Sequence, residues 1–260
     1  MVMKAIVFDA YGTLYDVQSV DGVIEAAFPG RGSFIAQIWR LKQLEYTWLR
    51  TMMGRYEDFR HVTRDALAFT LHVLGLQADS ELFDRFVEQY NRLDLYSDVR
   101  QTLEVLSGYQ LAILSNGSPG MLQALASNSG METLIPTILS VDEKRAFKPD
   151  PRAYELVGER LGLTPDDIVF VSSNGFDVSG AKSFGFTVVQ IERVSSRALH
   201  AEFASIGPAA VFKTLRTQTE HVGFPPDFVI DAISGLTNLV AKLGSPTSIP
   251  RATSAPRPAV

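Results

Sequence analysis

The chain has 260 residues, 46% hydrophobic and 20% charged, with a formal net charge of −5 and no cysteine. No Lys/Arg block or basic stripe invites nucleic acid, and no apolar run approaches the length of a membrane span. Without cysteine there are no disulfides, thiolate zinc sites or thiol nucleophiles. The N-terminus runs straight into a strand with no apolar signal region, so a cytoplasmic protein is expected.

The first element is the apolar run Ala5–Phe8, a strand that ends on Asp9 and turns at Gly12. From about Val17 to Ser97 there is no convincing strand. Ser33–Met53 reads as one long helix with an apolar stripe through Phe34, Ile38, Leu41, Leu44, Trp48 and Met52. Thr63–Leu74 and Leu82–Asn91 read as further helices, with Thr63 as the cap of the first. The Trp, Met and Tyr content of this segment suits a core, and also a dimer interface.

Strand and helix then alternate. Leu111–Leu114, Ile168–Val171 and Thr187–Ile191 are strands, while Gly120–Ser129 and Pro151–Leu161 have helical spacing. The expected fold class is therefore α/β: a Rossmann-like parallel sheet with an inserted all-helical cap. The core is expected from 1–16 and 98–243, and the cap from 17–97. Residues 195–226 read as a helical excursion against the cap or a partner chain. Asp227–Val229 reads as a last short strand and Ile230–Leu243 as a closing helix. The tail 244–260, rich in Pro, Ser, Thr and Ala, is expected to be mobile.

Polar clusters follow the apolar strands, where parallel sheets bind ligands. Asp9 is a carboxylate at the end of a buried strand and needs a partner. Lys148, in Phe147-Lys148-Pro149-Asp150-Pro151, supplies the counter-charge that keeps it available as a nucleophile. A plain buried ion pair would look the same from sequence. Thr13 can hydrogen-bond Asp9 from the turn, or simply form that turn. Ser115 and Asn116 sit at a strand-to-helix turn able to hold an anion; an ordinary N-cap at Ser118-Pro119 also fits. After the next strand come Ser172, Asn174 and Asp177. One acid among neutral oxygens is a poor Mg2+ site, which leaves Asp177 to orient a water or to cap the following helix. Periodicity leaves Arg40 either as a solvated flank or as a cation reaching the cleft.

The order of these motifs resembles the haloacid dehalogenase superfamily, whose opening motif is Asp-x-Asp-x-Thr. Here the second Asp position is Tyr11. The superfamily's phosphatases use that Asp as general acid. A halide leaving group needs no proton, so Tyr11 turns the resemblance towards carbon–halogen cleavage. Residues 7–20, 37–56, 112–122, 147–157 and 169–186 are similar to the bacterial L-2-haloacid dehalogenases. The resemblance implies Asp9 as nucleophile, oriented by Thr13 and Lys148. It implies halide received by Arg40 and Asn116 against Phe176, and substrate carboxylate bound by Ser115. It implies Tyr154, Ser172, Asn174 and Asp177 around the hydrolytic water, and pocket walls from Tyr11, Trp39, Leu44 and Phe59. Some relatives have Trp at the position of Phe176, which bears on pocket shape. The family also implies a homodimer, no metal and no other cofactor, with a short halogenated carboxylic acid as substrate.

Overall fold

A computed structural model describes residues 3–194 and 216–243. The expected mobile tail lies outside them, as does most of the 195–226 excursion. Strand β1 (Ala5–Phe8) is buried on both faces, which is why it reads as an unbroken apolar run rather than an alternating one. Two-residue β2 (Tyr15–Asp16) follows, then the helices α1 (Asp21–Ala27), α2 (Gly32–Met52), α3 (Phe59–Val73) and α4 (Ser80–Gln89). Strand β3 (Asp94–Leu95) pairs antiparallel with β2. The insert thus leaves and rejoins the core through one short ribbon, whose return strand falls in a stretch expected to have none.

The remainder alternates: α5 (Val99–Val105), β4 (Gln110–Ser115), α6 (Pro119–Ser129), β5 (Thr137–Ser140), α7 (Pro151–Leu161), β6 (Ile168–Ser172), α8 (Gly175–Phe184), β7 (Thr187–Ile191), β8 (Phe228–Ile230) and α9 (Gly235–Leu243). The parallel six-stranded sheet runs β5-β4-β1-β6-β7-β8. Phe8 is in register with Ile113 of β4 and Val171 of β6. Strand order reverses at β1, so the crevice at its carboxyl end opens between the ends of β4 and β6.

Three details differ from the sequence reading. In α2 the buried face is Ile35, Ala36, Trp39, Arg40, Gln43, Leu44 and Thr47. Phe34, Ile38, Leu41 and Trp48 are only half-buried, and Met52 is 75% exposed. Of the expected stripe only Leu44 lies on the buried face, because that face carries the polar groups of the site. Helix α3 is capped by Asp58, which accepts from the His61 N–H and supplies about 1 kcal/mol. Thr63 lies inside α3 and donates to the Phe59 carbonyl. The closing strand and helix are both present with shifted bounds: the strand is Phe228–Ile230, which extends the sheet beside β7, and the helix starts at Gly235 rather than Ile230.

Candidate active site

Asp9 follows β1 directly, and its backbone N–H donates to the Val171 carbonyl at 2.9 Å. Gly12 has φ +87°, in the left-handed region open to glycine, and this turns the chain back so that Thr13 faces Asp9. The carboxylate is 6% exposed and fully engaged. One oxygen accepts from Thr13 Oγ1 at 2.9 Å and Asn174 Nδ2 at 2.8 Å. The other accepts from Lys148 Nζ at 3.1 Å. Such bonds fix which lone pairs face the cavity and keep the group from rotating.

Lys148 Nζ also donates to Asp177 Oδ2 at 2.9 Å, and Tyr154 Oη donates to Asp177 Oδ1 at 2.8 Å. All three side chains are buried. Burial alone would lower the ammonium's pKa, but Asp177 and Asp9 together hold it above its ordinary value. Burial also pushes the Asp177 carboxyl up, to about 6, against the pull of Lys148. The Tyr154 phenol is held well above its usual pKa by burial and by Asp177, so it serves only as a donor.

Asn174 stands at the N-cap of α8, yet its side chain makes no cap bond. Its amide donates instead to Asp9 and to the Tyr11 carbonyl. Forgoing a cap costs about 1 kcal/mol, a local concession of the kind found at functional sites. Asp177, in the first turn of α8, faces Lys148 and Tyr154, so the cap reading for it falls. Ser172 Oγ accepts from the Asn174 N–H at 3.2 Å and Ser115 Oγ from the Gly117 N–H at 3.2 Å. Asn116 Oδ1 accepts from the Lys148 N–H at 3.0 Å, which leaves its NH2 group as the donor.

The helical insert closes the site from above. Thr51 Oγ1 accepts from the Phe147 N–H, Tyr56 Oη donates to Asp142 at 2.8 Å, and Tyr56 stacks on Phe147 at 4.8 Å. The resulting cavity is lined by Asp9, Tyr11, Arg40, Leu44, Phe59, Ser115, Asn116, Lys148, Asn174 and Phe176. Arg40 is 5% exposed. It donates to Gln43 at 2.5 Å, Gln43 donates to Thr63 at 2.6 Å, and Thr63 to the Phe59 carbonyl. This chain orients the guanidinium before any ligand arrives.

Of the residues read from sequence, Thr13, Ser172, Tyr154 and Asp177 lie in the layer beneath the cavity. Trp39 stands behind the wall: its indole N–H donates to the Thr63 carbonyl and its ring packs edge-on against Tyr90 at 4.9 Å. Gln43, Tyr90 and Ser173 were not singled out from sequence. Ser173 donates from its backbone N–H to Thr13 Oγ1 at 2.9 Å. Its place between Ser172 and Asn174 was the available signal. Gln43 lies one turn after Arg40, and only the position of Thr63 shows why it matters. Among the described residues no cluster of three or more His, Cys, Asp or Glu could hold a metal ion, and no helix is long and apolar enough to cross a membrane.

The family model of haloacid dehalogenase-like hydrolases matches residues 3–185. The (S)-2-haloacid dehalogenase of Xanthobacter autotrophicus is 53% identical over 241 residues, 92% of this chain and 95% of that protein. The haloacetate dehalogenase H-2 of Moraxella sp. (strain B) is 41% identical, over 92% of this chain and 98% of that one. The solved structure of L-2-haloacid dehalogenase from Xanthobacter autotrophicus with chloropropionic acid covalently bound superposes with a TM-score of 0.89 at 52% identity, covering 92% of this chain and 99% of that chain.

Proposed function

Because the chain belongs to the haloacid dehalogenase-like hydrolases, we propose that it hydrolyses short L-2-haloalkanoates to D-2-hydroxyalkanoates and halide through an ester on Asp9. The observation that carries this reading is a carboxylate held by Thr13, Asn174 and Lys148, in a cavity with a second, buried cation, Arg40. An Asp9 oxygen attacks the halogen-bearing carbon, and the carbon–halogen electron pair leaves with halide on the far side. Arg40 and the Asn116 amide receive that anion against Phe176, and Ser115 holds the substrate carboxylate. The apolar walls Tyr11, Leu44 and Phe59 strip water from the nucleophile. A single displacement at carbon inverts its configuration. Water placed near Asp177 then adds to the Asp9 carbonyl, releasing the hydroxy acid and restoring the carboxylate.

Tyr11 fits this chemistry. Burial pushes its phenol pKa upward, so it stays protonated and cannot serve as a base. A Mg2+-dependent phosphatase needs several hard anionic oxygens around the nucleophile. Here Lys148 occupies the space between the two buried carboxylates. Halide release from L- and D-2-chloropropionate, each with and without EDTA, tests the reading. Release from the L form alone, indifferent to EDTA, is expected. No release from either, with Mg2+-dependent phosphate release from a phosphoester, would replace this reading with the phosphatase.

Asp177 must be ionised to take a proton from water. With its carboxyl pushed up to about 6, steady-state turnover is expected to fall as pH drops through about 6. The first burst of halide, which does not use Asp177 as a base, should not share that fall. For stability the sign is opposite: between 3.8 and about 6 the folded chain binds more protons at Asp177 than the unfolded chain, so this group makes stability fall as pH rises there. Turnover flat across about pH 5 to 8 would remove Asp177 from the role.

The same reading includes a core of 1–16 and 98–243 and a cap of 17–97, supported by the β2–β3 ribbon at the neck. It includes a homodimer, supported by the half-exposed Phe34, Ile38 and Leu41 and the exposed Leu49 and Met52 on α2, with exposed Met53 just after it. It places the enzyme in the cytoplasm, where a cysteine-free chain lacks nothing it needs to fold.

A further inference from the structure

Every described residue that lines the cavity is buried except Phe176, which is half-exposed. The cavity therefore meets solvent at Phe176. What stands there is not part of the catalytic set. Trp48, from α2, packs edge-on against the Phe176 ring at 5.4 Å and 71°. The Arg216 guanidinium lies over the Trp48 ring at 4.9 Å. The segment carrying Arg216 presses on the start of α8: a Cβ at Gly175 would collide with the Gln218 carbonyl and crowd the Glu220 side chain. That segment is tied to β7, since Gln190 donates to the Thr217 carbonyl and Thr219 donates to Gln190 at 2.6 Å.

Two N–H donors at this place are buried and have no acceptor among the described residues, Trp48 Nε1 and Arg216 Nε. A buried donor left without an acceptor is costly, and an anion at this place would supply one. Cation–π stacking on Trp48 adds to the hold on the guanidinium. The charge balance points the same way. At net charge −5 the chain as a whole repels a monoanion, and the cations that line the cavity, Arg40 and Lys148, are buried. A cation at the mouth reverses the local field where the substrate arrives.

We propose that Trp48 and Arg216 form an anion-receiving gate at the mouth of the cavity, where a small carboxylate docks before passing Phe176 and through which halide departs. The gate rests on the dehalogenase reading for its substrate and not for its geometry. Because Trp48 belongs to the helical insert and Arg216 to the core, the gate opens when the two faces part slightly.

The test measures kcat and kcat/KM for L-2-chloropropionate against ionic strength in the full chain. In the parent protein kcat/KM should fall as salt rises. Arg216→Gln is expected to lower kcat/KM about tenfold at low ionic strength and to flatten its salt dependence, leaving kcat unchanged. Arg216→Lys, which keeps the charge, should restore most of the slope, and also serves if Arg216→Gln folds poorly. Trp48→Phe, which keeps a ring but loses the N–H, should lower kcat/KM about threefold with kcat unchanged. An Arg216→Gln protein with parental kcat/KM and parental salt slope would overturn the gate. If the parent protein releases no halide at any ionic strength, the dehalogenase reading fails instead. Saturable bromide quenching of Trp48 fluorescence then decides the gate: its loss in Arg216→Gln supports it, and its persistence overturns it.

Discussion

Asp9→Asn is expected to lower turnover of L-2-chloropropionate by about 10^4-fold or more, because it removes the atom that forms the new bond. The substitution is close to isosteric, and Asp9 receives donors from Thr13, Asn174 and Lys148. An amide oxygen can still accept two of these bonds, but its NH2 then faces a donor, so a modest loss of stability accompanies the loss of activity. The chemistry has a positive signature as well. One turnover in 18O-labelled water should place the label in Asp9 and leave the product hydroxyl unlabelled, since water attacks the Asp9 carbonyl. Label appearing in the hydroxy acid on the first turnover would mean that water attacks the substrate carbon directly, with Asp9 acting as a base.

Lys148→Met is expected to cost both stability and rate. Lys148 is 1% exposed and bridges Asp9 and Asp177, at 3.1 and 2.9 Å. Removing it leaves two carboxylates in a buried site with no ammonium between them. Taking away one partner of a buried ion pair typically costs about 3–5 kcal/mol. The chain can lessen that cost by letting one of the two acids take up a proton, which withdraws either the nucleophile or the base. Turnover should therefore fall on the order of 10^3-fold or more, and the midpoint of urea unfolding should fall with it. Below about pH 5, where carboxyls protonate readily, the stability gap between variant and parent should narrow. A variant with parental urea midpoint and rate would show that the bridge is incidental.

Much of the sheet was legible because its physics is local. Ala5–Phe8, Ile168–Val171 and Thr187–Ile191 are short β-branched runs bounded by turn residues, and only strands buried on both faces read that way. Strand β5 was harder: Thr137 and Ile138 are half-buried and the run has four residues. The cap reads less clearly. Helix α2 buries Arg40, Gln43 and Thr47 against the site, so hydrophobic periodicity selects the opposite face, which stays half-exposed and is the face proposed for a second copy. Thr63 looks like a cap by residue type, but Asp58 holds that place and Thr63 supports Gln43 instead.

The sequence by itself determined the parallel sheet, the inserted helices and the set of polar groups that follow β1, β4 and β6. Each of these depends on residue type and on neighbours a few positions away. Only the tertiary structure decided what those groups do to one another. Lys148 lies 139 residues from Asp9, and Asn174 lies 165 from it. Parallel register between β1 and β6 makes the second distance vanish, because Phe8 sits opposite Val171 and the two strand ends coincide. The same holds for Trp48 and Arg216, which come from the cap and the core: a short-range pattern carries no information about two surfaces that meet only when the chain closes.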